Sequence, residues 1–184
     1  MELNVYPKYY KFLPHECPCD FHFADYMKNN LNNKNIFHFG TGGHHYIGLE
    51  NNKLDSPNDI LGITAQKEEY ISYMDLIIEN AHLNSHYKVI FSDIYTFSPQ
   101  CLPNFDIITL FHLCEYYYKD KSDYCNLDDR TLLDLMIDKL NNGGNIIFYK
   151  KSAKYELAKK LINDTPNLIW EKDFKTLSFY KKIT

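Results

Sequence analysis

The sequence predicts an α/β fold, a mostly parallel sheet of seven strands with helices on both faces and an antiparallel hairpin at the end. Three observations predict it. After residue 35, short apolar runs alternate with helical patterns, the order of strand–helix–strand crossovers. The first run leads into a glycine-rich stretch, FHFGTGGHHYIG (37–48). The last two runs have only Lys175 between them, too little chain for a crossover, so they pair antiparallel.

Each element follows from its residues. NIFHFG (35–40) is short and apolar and ends at Gly40, as a strand buried on both faces does. The turn-forming DSPN precedes a second such run, DILGIT (59–64). From 66 to 80, Tyr70, Met74 and Ile77 or Ile78 recur at helical spacing and predict an amphipathic helix. YKVIFSD (87–93) and FDIITLF (105–111) are the third and fourth strands. Asn126 or Asp128 caps the helix RTLLDLMIDKL (130–140), and the glycines of NNGG (141–144) stop it. NIIFYKK (145–151) is the fifth strand, and SAKYELAKKLIND (152–164) the helix after it. LIWEKDF (168–174) and TLSFYKK (176–182) form the hairpin.

Residues 1–34 stand apart from this alternation. Pro7, Pro14 and Pro18 break any long helix before Cys19, whereas FHFADYMKNNL (21–31) suits one. The segment reads as an aromatic arm, either a lid or a packing arm, on a core of residues 35–184. Together they make a single domain of 184 residues.

Composition narrows the function classes. A hydrophobic content of 45% supports a packed interior. The net charge of −4 and scattered lysines leave no basic footprint, so nucleic acid is not the expected partner. No apolar run approaches ~20 residues, so no membrane span is expected. The N-terminus lacks the charged-then-apolar order of a signal peptide. Five cysteines in such a chain read as reduced thiols, and the expected location is the cytoplasm.

The glycine turn is the principal motif. Gly40, Gly42 and Gly43 let backbone approach a ligand closely, and open parallel sheets bind ligands outside the carboxyl ends of their strands. A dinucleotide fingerprint, G-x-G-x-x-G, needs glycine at position 45, where His45 stands. A helix beginning at the turn would hold His44 or His45 neutral, leaving one hydrogen bond to give. A histidine satisfied by a nearby carbonyl is the alternative.

The order of strands and the hairpin, over roughly 34–184, resemble the class I S-adenosylmethionine-dependent methyltransferase fold, a Rossmann-like three-layer sandwich. The resemblance implies S-adenosyl-L-methionine as cofactor. It assigns binding to Gly40, Thr41, Gly42, Gly43 and His44 at the turn. His38 stands where the family has an acid, and His44 where it has its third glycine. At the end of the second strand, where the family places a ribose-binding acid, stand Thr64 and Gln66, with Glu68 and Glu69 a turn into the helix. Asp93, with Ile94 beside it, matches the acid that accepts from the adenine amino group. His112, Glu115 and Tyr116 follow the fourth strand, where the family places groups that orient or deprotonate the acceptor. Tyr117 and Tyr118 read as packing.

The implied activity is methyl transfer to a small-molecule acceptor. Lyase or alkyl-transfer chemistry on the same cofactor, or a non-catalytic binding module, are the alternatives that the altered motifs leave open. No metal is expected. Cys17 and Cys19, with His15 and His22, have C-x-C rather than C-x2-C spacing and lack a further ligand pair in sequence.

Overall fold

A computed structural model describes residues 8–11, 13–98, 100, 102–118 and 123–184. Cys101 and residues 1–7, Pro7 included, lie outside the described residues. The elements run α1 (Pro18–Asn30), β1 (Asn35–Phe39), α2 (Tyr46–Asn51), β2 (Asp59–Thr64), α3 (Lys67–Glu79), β3 (Tyr87–Phe91), β4 (Phe105–Thr109), α4 (Asp129–Lys139), β5 (Leu140–Tyr149), α5 (Tyr155–Asn163), β6 (Leu168–Phe174) and β7 (Leu177–Lys182). The seven strands form one sheet in the order β3-β2-β1-β4-β5-β7-β6, parallel in β1–β2, β2–β3 and β4–β5 and antiparallel in β5–β7 and β6–β7. The predicted fold class is the observed one. The chain divides into two compact units, Met1–Asp93 and Ile94–Thr184.

In the first unit α1 begins at Pro18, three residues before the helix expected over 21–31. Proline fits the first helical position, where its missing N–H has no partner to lose. The face with Phe23, Ala24 and Met27 is buried, and so is Asp20. Ile36, Phe37 and Ile63 fill the sheet's interior. A fully buried pair, Asn51 and Asn58, closes the loop after α2 with Asn51 Nδ2 donating to the Asn58 carbonyl (2.7 Å) and Asn58 N–H donating back (2.9 Å).

The helix predicted from residue 66 forms, but with another face inward. Glu69 and Tyr73 are buried, while Met74 is 37% and Ile78 74% exposed. Polar partners override the apolar repeat here. Tyr73 Oη donates to the Tyr87 carbonyl (3.3 Å), and Glu69 is drawn in by Thr64. β3 stops at Phe91 and β4 at Thr109, two residues short of the predicted ends in each case.

In the second unit Asp128, rather than Asn126, caps α4 in a reciprocal box. Its carboxylate accepts from Thr131 N–H and its own N–H donates to Thr131 Oγ1, both at 2.8 Å. The glycines of NNGG do not stop this helix, which already ends at Lys139. They form a bulge inside β5, between the pairs Phe105↔Leu140 and Ile107↔Asn145. Gly143 takes φ +77 there, and Asn141 Nδ2 holds Asp106 Oδ1 at 2.9 Å. Lys182 Nζ, from β7, donates to the carbonyls of Ile137 and Leu140 at the end of α4 (2.7 and 2.8 Å). The hairpin turn has two residues, Lys175 and Thr176, not one, with Lys175 at φ +53. The helix predicted over 152–164 spans Tyr155–Asn163. Among the described residues, no helix is long and apolar enough to cross a membrane.

Candidate functional site

The carboxyl ends of β1, β2 and β3 meet along one edge of the first unit. Gly40 N–H donates to the Ile63 carbonyl (3.1 Å) and Ser92 N–H to the Thr64 carbonyl (2.9 Å), tying the three loops together. Gly40 and Gly42 have positive φ, +86 and +56. A Cβ on Gly42 would come within 2.4 Å of the His44 imidazole, so the turn and that ring are fitted to each other. Thr41 is buried, and its Oγ1 has no hydrogen-bond partner. An unsatisfied buried hydroxyl is costly unless something pairs with it.

The two histidines do different work. His45, at φ +46, is wholly internal. Its Nε2–H donates to the Glu69 carbonyl (2.9 Å), which leaves Nδ1 to accept from Tyr87 Oη (2.9 Å). Burial lowers its pKa to about 4, against the raising effect of the Glu69 bond. His44 Nδ1 accepts from Tyr46 N–H (3.1 Å), so its proton sits on Nε2, 3.4 Å from Asp20 Oδ2. Burial first, then the charge of His45, lowers the His44 pKa to about 4. Burial, rather than a helix terminus, is the main reason both rings are neutral.

His38 lies in β1, buried, with Nε2 4.0 Å from the other oxygen of Asp20. An acid from α1 thus stands beside position 38. Sequence spacing gave no signal for this, because Asp20 precedes the turn by a separate element. Cys17 Sγ, an Asp20 oxygen and a His44 nitrogen also lie within 4.8 Å of one another. A metal on His44 Nε2 would move its proton to Nδ1, against the Tyr46 N–H.

At the end of β2, Thr64 Oγ1 donates to Glu69 Oε2 (2.6 Å) and accepts from Gln66 N–H (3.1 Å), while Gln66 Oε1 accepts from Glu69 N–H (2.8 Å). Glu69 therefore turns back from the first turn of α3 to the strand's end. Burial raises its pKa, opposed by bonds from Thr64 and the Tyr10 N–H. Asp93, two residues beyond β3, is buried to 9% exposure. These carboxylates, the glycine turn and the buried, unpaired Thr41 hydroxyl lie along the one edge.

The second unit carries its own cluster. Ile94 opens a 3-10 turn, Ile94–Thr96, and is buried. His112 follows β4, with Nδ1 3.1 Å from Glu115 Oε1. Glu115 also accepts from Ser152 Oγ and from Ala153 N–H (3.0 Å). Burial alone would raise its carboxyl. The bonds from His112, Ser152 and Ala153 outweigh that and hold it near 2. Tyr116 and Tyr149 meet the His112 ring edge-on, at 6.2 and 6.0 Å. Tyr117 packs on Tyr95 (5.3 Å), whereas Tyr118 is 53% exposed. Among the described cysteines, Cys17, Cys19 and Cys114 are buried and Cys125 is half-buried.

No protein-family model matches this chain, and no curated protein matches it in sequence. Solved structures do match. The N-methyltransferase NodS of Bradyrhizobium japonicum, crystallised with S-adenosyl-L-homocysteine, superposes with TM-score 0.61 at 14% identity, over 89% of this chain and 86% of NodS. An rRNA methylase from Streptococcus thermophilus gives TM-score 0.57 at 10% identity, over 88% of this chain and 95% of its own. TrmN from Thermus thermophilus gives 0.61 at 13% identity, over 88% of this chain. The chain has the methyltransferase fold. It spans 47% of TrmN's length. At such identities the methyltransferase likeness concerns architecture alone.

Proposed function

We propose that this protein is a cytoplasmic S-adenosyl-L-methionine-dependent methyltransferase acting on a small-molecule acceptor. The observation that carries the reading is the convergence of Gly40–Gly43, the Thr64–Glu69 pair and Asp93 on one edge of three parallel strands. Asp93 would accept from the adenine amino group, Glu69 and Gln66 from ribose hydroxyls, and the turn with Thr41 would hold the amino-acid tail. When bound, S-adenosyl-L-methionine supplies a methyl group on a positively charged sulfur that needs no further activation.

The protein's remaining task is to orient the acceptor and remove its proton. His112 Nδ1 lies 3.1 Å from Glu115 Oε1, and with its proton drawn to that side its Nε2 would be the atom to take a proton from an acceptor hydroxyl or amine. The charge of the Glu115 carboxylate would favour that tautomer, and Tyr116 meets the ring edge-on. The net charge of −4 favours a small molecule over nucleic acid as acceptor. Incubation with S-adenosyl-L-methionine and a panel of hydroxyl and amine acceptors tests the activity. S-adenosyl-L-homocysteine formed only with an acceptor present is the expected result, and cofactor binding without turnover on any acceptor would contradict it.

A further inference from the structure

Residues 8–11 lie across the same edge. The Tyr10 carbonyl accepts from Gly43 N–H (2.9 Å), and the Tyr10 N–H donates to the Glu69 carboxylate. Tyr9 stacks on the turn so closely that a Cβ on Gly43 would come within 2.0 Å of its ring. Tyr9 Oη also reaches the Gly43 carbonyl at 3.5 Å. One backbone unit of the arm thus takes the two groups a bound nucleoside would need, an N–H of the glycine turn and a carboxylate at the end of β2. It pairs with them as such a ligand would, an oxygen to the N–H and a donor to the carboxylate.

Among the described residues, Cys17 Sγ also approaches the Lys11 carbonyl at 4.0 Å. Lys8, Tyr9 and Lys11 are exposed, Tyr9 by 39%, and only Tyr10 is half-buried. We propose that residues 8–11 form an intramolecular plug of the cofactor site, displaced when cofactor binds. This rests on reading that edge as the cofactor site. Such a plug lowers apparent affinity by the fraction of molecules in which it is open. It gives the chain a means of regulation, because whatever captures the arm opens the site.

The test uses the full chain with S-adenosyl-L-homocysteine as probe. Trypsin cuts after Lys8 and Lys11, inside the strap. Saturating probe should speed cleavage at these two bonds, read by mass spectrometry. Tyr9→Ala, which removes the ring from Gly43, and Tyr10→Pro, which removes the N–H given to Glu69, should each tighten probe binding, by about tenfold for a strap closed in nine molecules of ten. Protection of Lys8 and Lys11 by the probe would make the strap a lid that closes over ligand, and overturn the proposal. So would cleavage and affinity that the probe and both substitutions leave unchanged. In either case the probe still binds and the cofactor reading stands. If the probe binds neither parent nor variants, the cofactor reading falls and the plug with it.

Discussion

Tyr87, in β3, donates its hydroxyl proton to Nδ1 of His45 at 2.9 Å. The bond joins the residue that opens α2 to the far strand of the first unit, and both groups are fully internal. A histidine at φ +46 in this position is therefore a structural joint. His45→Ala leaves the Tyr87 hydroxyl unpaired, takes the side-chain donor from the Glu69 carbonyl and opens a cavity, so it should cost about 2–4 kcal/mol. Urea unfolding of variant and parent checks this.

Stability should fall in mild acid. The imidazoles of His44 and His45 have pKa values near 4 in the folded chain against 6.5 unfolded. The unfolded chain therefore binds more protons in this interval. The stabilisation is complete above pH 6.5 and is lost as pH falls toward 4. Thermal melts at pH 7.5 and 5 should differ clearly in the parent, and the difference should shrink in His45→Gln, which has no titrating ring.

Glu115 provides a check on the second cluster that needs no substrate. Its carboxyl, held near 2 by His112 and by Ser152 and Ala153, should rise by about 1–2 units in His112→Ala. Carbon-detected NMR titration of the side-chain carboxyl measures it. An unchanged value would show that the imidazole does not face Glu115 in solution.

The cap of α4 should be worth about 1 kcal/mol, because Asp128→Ala removes the acceptor for Thr131 N–H. Chemical denaturation of this variant reads the loss directly.

The fold was legible because β1 to β5 and the hairpin each announce themselves as apolar runs between turn residues. What escaped was decided by polar pairing. The Tyr70–Met74–Ile78 repeat has the right period for a buried stripe, yet Glu69 and Tyr73 face inward because Thr64 and the Tyr87 carbonyl bind them. Glycines at 143 and 144 carry the same letters whether they end a helix or bulge a strand. Only the pairing of β5 with β4 distinguishes the two. In the site, the division between His44 and His45 follows from consecutive side chains pointing apart. The contribution of Asp20 from α1 has no trace in local spacing. Glu69 was visible as an acid near β2, but its return to Thr64 depends on a helix N-terminus whose geometry spacing does not specify.

In the proposed function, the ends of β1, β2 and β3 bind S-adenosyl-L-methionine and Asp93 holds the adenine. Calorimetric titration of the parent and Asp93→Ala with S-adenosyl-L-homocysteine and with NAD tests it most directly. A carboxylate accepting from an amino group is worth roughly 1.5–3 kcal/mol. The parent should bind S-adenosyl-L-homocysteine and not NAD, and Asp93→Ala should bind it about ten- to a hundredfold more weakly. NAD binding without S-adenosyl-L-homocysteine binding, or undiminished affinity in a folded Asp93→Ala, would contradict the account.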